Sequence, residues 1–151
     1  MTVDTSYNER NRRERERMRA MVERLSDDDL RRPVNEHWTV AAVLLHIAFW
    51  DARNRWLTDK LRSGVPFIPS DVEPDDVTWI NDSTRPFLHA IPPRDAARLA
   101  LRLAQEADAG VESLPPERTW PADPTSLVNP VRADHRGEHL DEIEAALGRE
   151  R

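Results

Sequence analysis

Between Val40 and Trp50 the chain reads VAAVLLHIAFW, apolar at every position except His46. A run that is apolar on all sides predicts a helix buried in the middle of a domain. Thr39 is a suitable cap for its start, and Gly64 a suitable stop, so the helix is expected over about Thr39 to Ser63. Its second half turns amphipathic, with Trp56, Leu57 and Leu61 expected inward and Arg53, Arg55, Asp59 and Lys60 outward.

The flanking segments carry weaker forms of the same period. Met18, Met21, Val22 and Leu25 mark the inner face of a first helix from about Tyr7, whose opening NERNRRERERM is a solvated face of alternating Glu and Arg. Ser26 before three aspartates reads as a cap opening a short turn that Pro33 ends. A proline-bearing loop spans 65–75. After it Val77, Ile80, Thr84, Phe87 and Ile91 fit one helix face, with a kink or break expected near Thr84–Arg85 because Pro86 follows. Pro93 opens the clearest helix, to about Leu114, with Ala96, Leu99 or Ala100, Leu103, Ala107, Val111 and Leu114 repeating in near-heptad steps. Residues 115–133 hold five prolines and predict a long irregular connection, pinned by Trp120 and Leu127. A last helix begins near Asp134, with Leu140, Ile143 and Leu147 as its core stripe. The pattern predicts a single all-α domain over 1–151, a four-helix bundle with a long connection before the last helix.

Composition narrows the partners. The formal net charge is −6, against a role in binding nucleic acid, which needs a basic face. Lys60 is the single lysine among 22 basic residues, a bias that GC-rich coding explains. There is no cysteine, so the chain supplies neither disulfide nor thiol of its own. The opening MTVDTSYNERNRR has no apolar stretch of the signal-peptide kind, and no run approaches the ~18 apolar residues of a membrane span. The expectation is a cytoplasmic protein with no membrane partner.

Chemistry concentrates in the last helix. His135 and His139 stand at i and i+4, one turn apart on one face, so both imidazoles can converge on one ion. His46, on the buried helix, is a third candidate ligand. Three imidazoles with open positions make a catalytic rather than a closed structural metal site. Glu142 follows on the same side and can hold a ligand's second N–H. The plainer reading is a chance pair plus a satisfied core histidine; the conjunction of the three is what favours a metal. His37 and His89 fit no such geometry and are expected at the surface.

Trp38-Thr39-Val40 followed by Leu45-His46-Ile47-Ala48-Phe49-Trp50-Asp51 resembles the signature of the DinB-like four-helix bundle superfamily, and His135-x-x-x-His139-x-x-Glu142-Ile143 resembles its C-terminal HxxxHxxQI. The order and separation of the two also match, nearer to the DinB_2 group and the colibactin self-protection proteins. The resemblance implies a metal triad of His46, His135 and His139. Glu142 stands where Gln is common in the family, and Gly137, between the two ligands, either weakens the helix or makes room for a neighbour.

The family includes thiol S-transferases that use mycothiol or bacillithiol, and metal-dependent hydrolases; a homodimer is also plausible from it. Three functions follow as expectations. One is S-transfer from a small thiol of the mycothiol type to an electrophile in detoxification, on a divalent Zn or Ni ion, with Arg53 and Trp50 as candidate cosubstrate-binding residues. Arg53 has the alternative reading of a solvated helix-end arginine. A second is hydrolysis of a reactive small molecule, with Glu142 or Glu138 as catalytic base, Glu138 being expected to face solvent. The third is a non-enzymatic bundle that binds a small hydrophobic ligand lined by Trp50, Trp56 and Trp79.

Overall fold

The computed structural model describes residues 2–148. Six α-helices account for the described architecture: α1 (Tyr7–Arg24), α2 (Asp27–Arg31), α3 (Val40–Ser63), α4 (Pro74–Ala90), α5 (Pro93–Glu112) and α6 (Ala133–Gly148). A single 3-10 turn, Pro116–Arg118, lies in the last connection. Among the described residues the sole β-type pairing is one bridge between Pro33 and Thr39, and no helix is long and apolar enough to cross a membrane.

Local chemistry fixes the helix ends. Ser26 and Asp29 exchange side-chain and backbone hydrogen bonds at 3.0 Å each, the reciprocal cap that lets a helix of five residues start. Thr39 accepts from the Ala42 N–H at 3.2 Å, and Gly64 ends α3 at φ 72°, a left-handed conformation that favours glycine.

Four helices form the bundle. α3 packs along α5 and against α6, and α1 closes the ring by packing on the same two. The α3–α5 seam is the tightest. Ala96, Ala97, Ala100, Ala104 and Ala107 are all fully buried, and small side chains let two backbones approach closely. At Gly110 an added Cβ would lie 3.1 Å from Arg55 Cδ and 3.3 Å from Thr58 Cγ2, so the seam stays narrow to the end of α5. Met18, Leu30, Leu44, Ile47, Leu140 and Ile143 fill the main core, and a smaller cluster of Tyr7, Leu57, Val111, Leu114 and Val128 holds the last connection.

Four expectations are corrected. Trp56 is half exposed, not inward: it lies on the outer face of α3, where Phe67 of the following loop meets it edge-on at 4.9 Å. α4 buries no residue, and Phe87 is 73% exposed, because α4 lies outside the bundle against α3. The helix also runs unbroken through Pro86. Asp82 and Pro86 are both exposed, so water can take the carbonyl that proline leaves unbonded. The last connection is pinned by Thr119 and Val128, both buried, with Leu127 packed beside them; Trp120 is half exposed.

Candidate metal centre

Two helices supply the three histidines. α3 carries His46 partway along its buried run, and α6 carries His135 and His139 on consecutive turns. α3 packs against α6, so the three rings meet, with centroids 5.1, 4.7 and 4.7 Å apart. One ring nitrogen from each histidine lies within 4.8 Å of the other two.

One pair of nitrogens already has the spacing of two ligands on a single ion. His135 Nε2 and His46 Nε2 face each other at 3.3 Å. Two imidazole nitrogens at zinc-ligand distance around a tetrahedral ion stand about 3.3–3.4 Å apart. Glu142 Oε2 lies 3.0 Å from His139 Nδ1, which holds the ring with Nε2 free to ligate, as a carboxylate behind a metal-binding histidine does. Trp38 packs edge-on against His46 at 5.5 Å. His135 Nδ1 is buried with no hydrogen-bond partner in the protein, so the ring's orientation is set by what its other nitrogen faces.

Burial keeps the His46 and His135 rings neutral. Burial, then the neighbouring His139, pushes His46 down to about 4. Burial, then His139 and His46, with Arg132 and Arg136 adding, pushes His135 down to about 2. A neutral imidazole offers the lone pair that ligation needs, so both are ready to bind a cation at neutral pH.

Two cavities open beside the histidines. The first, about 270 Å³, is bounded by His46, His139, Glu142, Trp38, Asn81 and Asp82 among others. The second, about 260 Å³, shares His46 and Asn81 and adds His135, Trp50, Arg53 and Arg132.

The structure thus brings His46, His135, His139 and Glu142 together, with Trp50 and Arg53 at the edge of the site. Trp50 Nε1 donates to Asn81 Oδ1 at 2.9 Å, which ties α3 to α4 beside the histidines. Arg53 is not a solvated arginine. It donates from Nε and from a terminal nitrogen to both oxygens of Asp71, at 2.5 and 2.7 Å, and stacks 5.5 Å over Trp50. Glu138, His37 and His89 are exposed. Trp79 is 59% exposed and, like Trp56, lines neither cavity. At Gly137 an added Cβ would lie 3.5 Å from the carboxyl carbon of Glu14 of α1, an ordinary contact, so the space there does not require glycine.

Directly behind the histidines lies a buried ionic network. Arg136 is fully buried between the two α6 ligands in sequence. Its Nε donates to Asp51 at 3.1 Å, and its terminal nitrogens donate to both oxygens of Asp108 and to the carbonyls of Asn11 and Ala104. All five N–H donors of the guanidinium are used. Arg132 donates to the other oxygen of Asp51 at 3.1 Å, and Arg15 to Asp108 at 2.7 Å. Asn11 accepts from the backbone N–H of Arg132 and of Ala133 and donates to the Pro130 carbonyl, tying α1 to the start of α6. Burial alone pushes the Arg136 guanidinium down, but Asp51 and Asp108 together lift it above the ordinary arginine value. Arg132 is held below that value by burial, despite Asp51.

Sequence reasoning missed this network. One signal for it was present: Asp108 interrupts the apolar stripe of α5 one turn after Ala104, and a charge on a core stripe requires a buried partner. No protein-family model, curated protein or solved structure matches the chain.

Proposed function

We propose that the protein is a metal-dependent member of the DinB-like bundles that acts on a small molecule, by transfer of a low-molecular-weight thiol of the mycothiol type to an electrophile. The observation that carries the reading is the convergence of three ring nitrogens within 4.8 Å, backed by a carboxylate on His139 and opening onto two cavities. His46, His135 and His139 would hold a divalent ion, with Zn or Ni suited to three imidazoles. When bound, such an ion supplies an open position that lowers the pKa of a thiol or water delivered to it.

The chain's own residues divide the remaining work. Glu142 orients His139 and keeps its Nε2 toward the centre. Trp38 packs on His46 and with Asn81 bounds the space an electrophile would occupy. Thiol transfer asks for no additional base once the thiol has lost its proton, and that favours it here, where Glu142 is already engaged. The chain has no cysteine, so the thiol comes from outside. Hydrolysis is the second reading, favoured by the carboxylates of Glu142 and Asp82 on one cavity wall.

Elemental analysis of protein purified without a histidine tag tests the centre. About one divalent ion per chain is expected, and none in the His135→Ala/His139→Ala variant. Wild type that binds no metal after incubation with Zn or Ni overturns the proposal. Loaded protein is then assayed for thiol consumption with an alkylating electrophile: consumption supports transfer, and turnover of the electrophile without thiol moves the assignment to hydrolysis.

A further inference from the structure

The two cavities beside the histidines differ in charge. Among the described residues, the first is lined by Glu142 and Asp82 and by no Arg or Lys. The second is lined by Arg53 and Arg132 and by no carboxylate. This division has a source in the buried network. Three arginines, Arg15, Arg132 and Arg136, share two carboxylates, Asp51 and Asp108, which leaves one positive charge in surplus. Arg136 spends every donor inside the network. Arg132 has to share Asp51 with Arg136, and it is the member of the network that borders the cavity beside His135. Arg53 faces the same space, and its planar fork already grips a carboxylate, that of Asp71 on the loop between α3 and α4.

We infer that the Arg53–Arg132 cavity is the subsite for a carboxylate on the small molecule taken by the histidine centre, with Asp71 occupying Arg53 until that carboxylate arrives. Arg132 supplies the standing positive charge, close to His46 and His135. Arg53 supplies the bidentate fork, and Trp50 beneath it a flat apolar surface for the group that carries the carboxylate. A substrate held this way lies with its anionic end at the arginines and the rest of its length toward the Trp38 side, across the nitrogens of the triad. The inference rests on the metal-centre reading for what the neighbouring site does, but the groups that would take the carboxylate, Arg53, Arg132 and Trp50, are not among the candidate ligands.

The test is calorimetric titration of metal-free protein with benzoate and with benzamide, its neutral isostere, at low salt. Wild type is expected to bind benzoate at least about 10-fold more tightly than benzamide. Arg132→Met is expected to weaken benzoate about 10-fold and to leave benzamide unchanged. Asp71→Asn removes the competing charge and is expected to tighten benzoate several-fold. Equal affinity for the two probes, or no benzoate binding by wild type, overturns the inference, as does a folded Arg132→Met variant with unchanged benzoate affinity. If that variant does not fold, Asp71→Asn decides, and benzoate binding no tighter than wild type overturns it. Ions per chain are measured separately on the same preparations. Selective benzoate binding without metal binding leaves the subsite standing and removes the metal reading; metal binding without benzoate selectivity does the reverse.

Discussion

Two polar clusters lie back to back on α6, and they are built on opposite principles. Arg136 points into the bundle with all five donors bonded, two carboxylates shared and no exposure. His135, its immediate neighbour in sequence, leaves the helix about 100° round from it, with one buried nitrogen unbonded and the other facing a second imidazole. A buried polar group whose every bond is made holds structure in place. One whose lone pairs converge on a small space and stay unmatched is waiting for something to fill it. The difference makes the first cluster a structural tie and leaves the second able to take a ligand, although both sit within one turn of helix.

The sharpest way to break this contrast is Arg136→Met. It leaves Asp108 with Arg15 alone and Asp51 with Arg132 alone in the interior, and a loss of about 3 kcal/mol in chemical denaturation of the metal-free protein is expected. A loss below 1 kcal/mol would place Arg136 outside the fold-holding set. The second test is pH. His46 and His135 are depressed below the unfolded value of 6.5, so between 6.5 and about 4 the unfolded chain takes up protons that the folded one refuses. Stability of the metal-free protein is therefore full above 6.5 and falls with pH through that window, with His135 extending the loss below 4. Thermal melts should show the slope reduced in His135→Ala.

Glu142→Ala is expected to weaken metal binding by about 10- to 100-fold in a chelator competition, while leaving the metal-free melting temperature close to wild type. Glu142→Gln should lose less, because the amide oxygen still accepts from His139 Nδ1. The smallest effect is expected for His135→Ala in metal-free protein at pH 7.5, a change in stability within about 1 kcal/mol, since the lost packing is offset by removing an unbonded nitrogen. The same variant should abolish stoichiometric metal binding, the reverse of Arg136→Met in its balance of effects.

The sequence made the helices legible because their ends are local. Thr39, Gly64, Ser26 and Pro93 each act within a few residues, and all four stand at the boundaries expected of them. The histidine cluster was legible for the same reason on α6, where i and i+4 are geometry rather than tertiary contact. What escaped was set by packing partners. Phe87 repeats with Ile80 and Thr84 at helical spacing as well as Leu140 and Ile143 do with each other, but a period shows that a face exists, not that anything covers it. Asn11 and Arg15 looked like part of a solvated charged face, and only the approach of α5 and α6 turns them inward. Arg53 was read by itself, while its partner Asp71 sits in a loop with no periodicity to announce it.

The position of α4 outside the bundle has a consequence for how this protein could change. Trp38, His46 and the α6 histidines are carried by the bundle, whereas Thr78, Asn81 and Asp82, which close the first cavity, ride on a helix with no fully buried residue. Substitutions at the exposed Thr78 and Asp82 therefore reshape the space against the histidines at little cost to folding. A mutational library meant to change the shape of that space belongs on that one helix.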